Sequence, residues 1–142
     1  MQQMKLVGLL FVGSLPPARC KKDDKTPAIQ KNQLLAVKVN ESAPFTQDVT
    51  FRVEDIADSR CPATAVCVWY SQAKVTFTLK YQRTCQRGEL CLGQCDQQFN
   101  NRDSITLQSG AQSYQVILTE VRPYPGTNNA TASEAVIEVK QP

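Results

Sequence analysis

Histidine is absent from the 142 residues, and that gap excludes more than any other feature of the composition. Without imidazole the chain has no side chain that ordinarily titrates near neutral pH. It has no Ser-His-Asp or Cys-His nucleophile pair, and no histidine to ligate a metal. Most hydrolytic mechanisms fall with it, and the expectation is a protein that is not an enzyme. A charge excess is missing as well. The formal net charge is +3, and setting aside Lys5 and Arg19, which belong to a leader-like segment, leaves basic and acidic side chains almost balanced. Lys38, Lys74, Lys80, Arg83, Arg87 and Arg102 are scattered rather than run together, so there is no electrostatic footprint for nucleic acid. Beyond the leader no window sustains apolar residues at i, i+3, i+4 and i+7 between helix caps, and no internal repeat occurs, so helix is not expected.

One catalytic route survives the lack of histidine. Glycoside hydrolysis needs only two acids facing each other across a cleft, about 5–9.5 Å apart. Glu54, Asp55 and Asp58 are the candidates; acids clustered beside a turn otherwise serve solubility.

The first residues read as an address. After Lys5 come ten residues from Leu6 to Leu15 that are almost all apolar, then Pro16, Pro17, Ala18, Arg19 and Cys20. That run is too short for a helix to cross a hydrocarbon core of about 30 Å, and it matches the apolar region of a secretory signal. Cys20 directly after it resembles the lipidated first residue of bacterial lipoproteins. Arg19, however, sits where such signals carry a small residue. The sequence Cys20-Lys21-Lys22-Asp23-Asp24-Lys25 is similar to the start of Bacteroidetes lipoproteins, including their surface-export signal. The resulting expectation is a signal peptide over 1–19, a lipid anchor on Cys20 with a polar tether over 20–33, and a single domain over 34–142. Such a protein would sit at the outer membrane or cell surface. Plain secretion or a periplasmic location is the alternative.

Within the domain the period is two, which sends alternate side chains to one face of a sheet. Val49, Phe51 and Val53 alternate with Thr50 and Arg52. Ala73, Val75, Phe77, Leu79 and Tyr81 alternate with polar neighbours. Shorter alternations run through Leu35, Val37 and Val39, through Ile105 and Leu107, through Tyr114, Val116 and Leu118, and through Ala135, Ile137 and Val139. With residues 66–70 as a further strand, about seven strands predict an all-β fold. An immunoglobulin-like antiparallel sandwich is the first choice and a small β-barrel the alternative. Residues 83–102 and 123–133 break the pattern and read as long loops, where binding tends to sit.

The most distinctive stretch is Asp58-Ser59-Arg60-Cys61-Pro62, followed by Cys67-Val68-Trp69. It resembles an uncharacterised family of small exported bacterial proteins and lipoproteins. The similarity extends to residues 114–118 and 121–125. Where that family carries Ala-Gly after the tryptophan, this chain has Tyr70-Ser71. The resemblance implies export and a β fold but no activity. From spacing alone, Cys61 and Cys67 enclose a loop short enough to close as a disulfide in an oxidising compartment. Cys85, Cys91 and Cys95 form Cys-x5-Cys-x3-Cys, in which a second disulfide is expected. Pairing among these three is open, since acylation of Cys20 would leave an odd number of thiols. Three thiolates with neither histidine nor Cys-x2-Cys spacing match zinc modules poorly, and no metal or cofactor is implied.

Trp69, beside a cysteine pair, is expected in the core. Tyr124, between Pro123 and Pro125, is the candidate exposed anchor, with Arg83 and Arg87 as further candidate binding residues. The functional expectation is an envelope-anchored, non-enzymatic β-sandwich that binds a protein or glycan through its long loops. The alternative is an extracellular protease inhibitor presenting a disulfide-held loop, since crosslinked loops bind at little ordering cost.

Overall fold

The computed structural model describes residues 32–69, 71–127 and 131–141. Cys20, the signal segment and nearly all of the tether lie outside the described residues. Nine strands are formed among those described: β1 (Asn32–Lys38), β2 (Ser42–Pro44), β3 (Val49–Asp58), β4 (Gln72–Tyr81), β5 (Thr84–Cys95), β6 (Gln98–Asn100), β7 (Asp103–Ser109), β8 (Gln112–Arg122) and β9 (Glu134–Lys140). They make two antiparallel sheets, ordered β1-β9-β8-β7 and β2-β3-β4-β5-β6. The sheets stack face to face and do not close into a barrel.

The alternation places the core where it was expected. Val49, Phe51 and Val53 of β3, Val75, Phe77 and Leu79 of β4, Val116 and Leu118 of β8, and Ala135, Ile137 and Val139 of β9 are all buried in one layer between the sheets. Burying each large aliphatic or aromatic side chain is worth about 1.5–3 kcal/mol, which is why period two decides the architecture. Phe51 and Phe77 stack at 4.8 Å between centroids. Gly88 lies opposite Phe77 in the ladder, and a Cβ there would come 2.5 Å from Phe77 Cζ. At the far edge of the core Tyr114 meets Phe45 edge-on and donates its hydroxyl to Gln112 Oε1 at 2.7 Å. Burial pushes its phenol pKa up.

Several local expectations are corrected. The strand expected over 66–70 is not formed by its described residues, 66–69; Val66, Val68 and Trp69 are exposed in a loop, because the Cys61–Cys67 bridge closes the backbone on itself before a ladder can form. Residues 83–102 are not a loop. The stretch forms β5 and β6, and lacks visible alternation because most of the first half of β5 faces solvent on both sides. The β5–β6 hairpin turns through Asp96 (φ 46°) and Gln97 (φ 71°), a pair of left-handed residues of the kind that two-residue hairpins require. Finally, β1 begins within the segment read as tether: Asn32 and Gln33 pair with Lys140 and Val139.

Two bulges shift the phase of the pattern at one end of the sandwich. In β3 the register slips between Val53 and Asp55, so Val53 and then Ile56 and Asp58, rather than Asp55 and Ala57, share a face with Phe77, Val75 and Ala73 of β4. In β8 a slip between Leu118 and Glu120 does the same for Val121, which is buried. An aspartate is thereby turned toward the inner layer where the two sheets open.

Candidate functional site

The chain ends of β3 and β8 and the start of β4 meet at this bulged end of the sandwich, together with the loop residues 59–69 and 123–127. Asp58 and Arg60 are two apart on an extended backbone, a spacing that puts both side chains on one side. Arg60 Nε donates to Asp58 Oδ1 at 2.9 Å and Nη2 to Oδ2 at 2.7 Å, a two-pronged pair. Nη2 also donates to the Val121 carbonyl at 2.8 Å, which ties one sheet to the other. The side chains of Arg60 and Asp58 are only 11% and 15% exposed. The guanidinium further lies over the Tyr124 ring, 4.5 Å from its centroid.

The neighbouring loops are braced by covalent and backbone contacts. Cys61–Cys67 closes as a disulfide. Ala65 N–H donates to the Pro62 carbonyl and Ala63 N–H to the Pro125 carbonyl, at 3.0 and 2.9 Å. This backbone approach needs Gly126 (φ 79°), where a Cβ would crowd Ala63 and Pro62 at 3.0 Å. Ser59 N–H donates to the Gln72 carbonyl at 2.8 Å and closes the base of the loop.

On β5 the second bridge, Cys91–Cys95, joins residues whose Cα atoms are 6.1 Å apart. Four residues of straight strand would span about 13 Å, so β5 bends sharply between them. The bend falls at Gly93 (φ 91°), where any side chain would collide with the Ser71 carbonyl, the acceptor for Gln94 N–H at 3.0 Å. Asp103 secures the same stretch from the other sheet by accepting Cys91 N–H at 2.9 Å. Cys85, at the exposed start of β5 opposite Lys80, belongs to neither of these two bridges. Among the described residues no cysteine is free.

Between these braces runs an open groove of about 240 Å³, lined among others by Leu92, Phe99, Asn100, Asn101, Glu120 and Tyr124. Its two aromatic members are conspicuously wet, Phe99 69% exposed and Tyr124 45%; Trp69, outside the lining but two residues from Ser71 in sequence, is 73% exposed. The expected core role of Trp69 is therefore corrected. The cystine loop leaves no depth at that position to bury an indole.

Of the three candidate binding residues, only Tyr124 is at this end. Arg83 follows Gln82 in the β4–β5 turn and Arg87 pairs with Thr78, both toward the opposite end of the sheet from Asp58 and Ala73. The three acids considered for glycoside chemistry do not converge on the groove. Asp58 is held by Arg60, Glu54 pairs with Arg52 at 3.4 Å, Asp55 is exposed, and none of them lines it. The residues that sequence reasoning missed are Arg60, Phe99 and Glu120. The Asp58-x-Arg60 spacing was a usable signal for the first. An isolated phenylalanine in a polar run is none.

Compared with protein-family models, curated proteins and solved structures, the chain has no match.

Proposed function

We propose that this protein is a non-enzymatic binding module displayed at the cell envelope, which docks a protein or glycan partner through the bulged, loop-bearing end of its sandwich. The observation that carries the reading is the exposure of Phe99 and Tyr124 on the lining of one groove, with Trp69 exposed on the neighbouring cystine loop. Large aromatic side chains left in water on a frame braced by two disulfides and an inter-sheet hydrogen bond from Arg60 are costly unless something covers them, and they are the residues on which interfaces concentrate binding energy. The two bridges suit a non-reducing compartment outside the cytosol. Attachment by a lipid on Cys20 is the finer part of the proposal. It rests on the leader and on the Lys-Asp-Asp stretch that follows.

The test is affinity capture from envelope extracts by the intact protein and by two variants, Trp69→Ala with Tyr124→Ala, and Arg83→Ala with Arg87→Ala. Capture lost only in the first supports the reading, and capture unchanged in both refutes it. Detergent phase partition of the exported protein and of Cys20→Ala tests the anchor: both remaining in the aqueous phase would remove it. The exposed, crosslinked loop over residues 61–67 favours one second reading, inhibition of an extracellular protease. In that reading the loop is preformed and pays little ordering cost; no inhibition across a panel of secreted proteases retires it.

A further inference from the structure

The groove itself carries information about its ligand. Its lining combines two aromatic rings, Phe99 and Tyr124, an apolar floor at Leu92, the amides of Asn100 and Asn101, and the Glu120 carboxylate. The one cation among the described lining residues is Arg60, and its guanidinium is spent on Asp58 and the Val121 carbonyl. Among the described residues no free positive charge lines the groove to meet a phosphate, sulfate or carboxylate. Arg60 also covers one face of the Tyr124 ring, which orients the ring while leaving it 45% exposed.

We infer that this groove binds a neutral saccharide ring, such as the end unit of a glycan. The inference rests on the loop-end reading above and gives it a ligand class. A sugar ring presents an apolar C–H face and a rim of hydroxyls that both donate and accept. Aromatic planes match the first. Asparagine amides, each with a donor and an acceptor end, and a carboxylate acceptor match the second. A peptide added as a further strand would instead need a long edge to pair with, and β6, the edge beside the groove, is only three residues long. The volume of about 240 Å³ is below that of pockets which enclose drug-sized ligands, about 300–1,000 Å³, so one ring is held while any further units extend into solvent. Few contacts on so open a surface give a Kd on the order of 1 mM for a single ring, with tighter binding only through multivalent display.

The test uses the exported, disulfide-bonded protein labelled with ¹⁵N. It is titrated to tens of millimolar with glucose, galactose, mannose and N-acetylglucosamine and their short oligomers, and in parallel with glucuronic and sialic acids. The expected result is amide shifts confined to residues 99–101 and 119–124 with at least one neutral sugar. Affinity should fall by about tenfold in Tyr124→Ala and in Asn100→Ala, the loss that follows removal of one good contact, and be retained in Tyr124→Phe. The same spectra report whether each variant is folded. No shift with any neutral sugar, shifts that survive both alanine variants, or shifts with the anionic sugars alone overturn the inference. If the sugars fail while envelope capture still depends on Trp69 and Tyr124, the partner is a protein and only the ligand class is wrong. If both fail, the loop-end reading falls with it.

Discussion

The Asp58–Arg60 pair offers the sharpest test of how the binding end is held together. An exposed ion pair is worth about 0–1 kcal/mol, whereas removing one partner of a fully buried pair costs about 3–5 kcal/mol. With side chains 11% and 15% exposed and a two-pronged geometry, this pair lies between those limits but nearer the second. Arg60→Ala also strips the Val121 carbonyl of a donor and removes the cation from the Tyr124 ring, the latter worth about 0.5–1 kcal/mol. The expected loss is about 2–3 kcal/mol for Arg60→Ala and about 1–2 kcal/mol for Asp58→Asn, in which a neutral acceptor remains. The double variant should show a coupling energy of about 1.5 kcal/mol, because the two side chains share one interaction. Urea unfolding of the oxidised protein measures all four corners of the cycle, with the slope m checked for constancy. Repeating the cycle at high salt should leave the coupling largely intact, since a shielded pair is screened much less than a surface one. A coupling below about 0.5 kcal/mol would place the pair among ordinary surface ion pairs and remove the argument that Arg60 locks the sheets and positions Tyr124.

Three further outcomes follow from the packing. Gly88→Ala drives a methyl into Phe77 and disturbs its stack on Phe51, so thermal unfolding should show a loss of about 1–3 kcal/mol; an unchanged midpoint would mean the ring has room to move. Trp69→Ala should change stability by no more than about 0.5 kcal/mol, since the indole is exposed, and a loss several times larger would put it in a core after all. Tyr114 has its pKa raised by burial. Its neutral form therefore contributes stability that is fully present below the ordinary tyrosine pKa of about 10 and is lost as pH rises through the higher native value. Urea midpoints measured from neutral to strongly alkaline pH should fall less steeply above about pH 10 in Tyr114→Phe than in the parent; parallel curves would contradict the assignment.

The parts of this fold that sequence reasoning reached are those where one side chain in two is apolar. β3, β4, β8 and β9 were visible because apolar residues recur at every second position of each, and nearly all the residues named for their inner faces are the ones in the core. The Cys61–Cys67 bridge was visible because the loop between the two cysteines is short enough to close in an oxidising compartment. β5 was hidden by the opposite circumstance: Cys85, Gln86, Arg87 and Glu89 are exposed, so much of the strand carries no burial signal and is set by pairing to β4. Trp69 misled because its neighbours in sequence looked like a strand, while the covalent bridge beside it kept the backbone out of the ladder.

By itself, then, the chain determined its class: alternation specified β-strands with one face in a dry layer, and the cysteine content specified a crosslinked protein, while the division into two open sheets rather than a closed barrel came only with the tertiary structure. Which residues stand together at the bulged end was a tertiary decision. A one-residue slip in β3 turned Asp58 inward and another in β8 turned Val121 inward, and only then could Arg60 span both and hold Tyr124 beside Phe99 from a strand far away in sequence. Period two states that a strand has a buried face. It does not state where a bulge exchanges the faces, since that depends on the partner strand against which the count is kept.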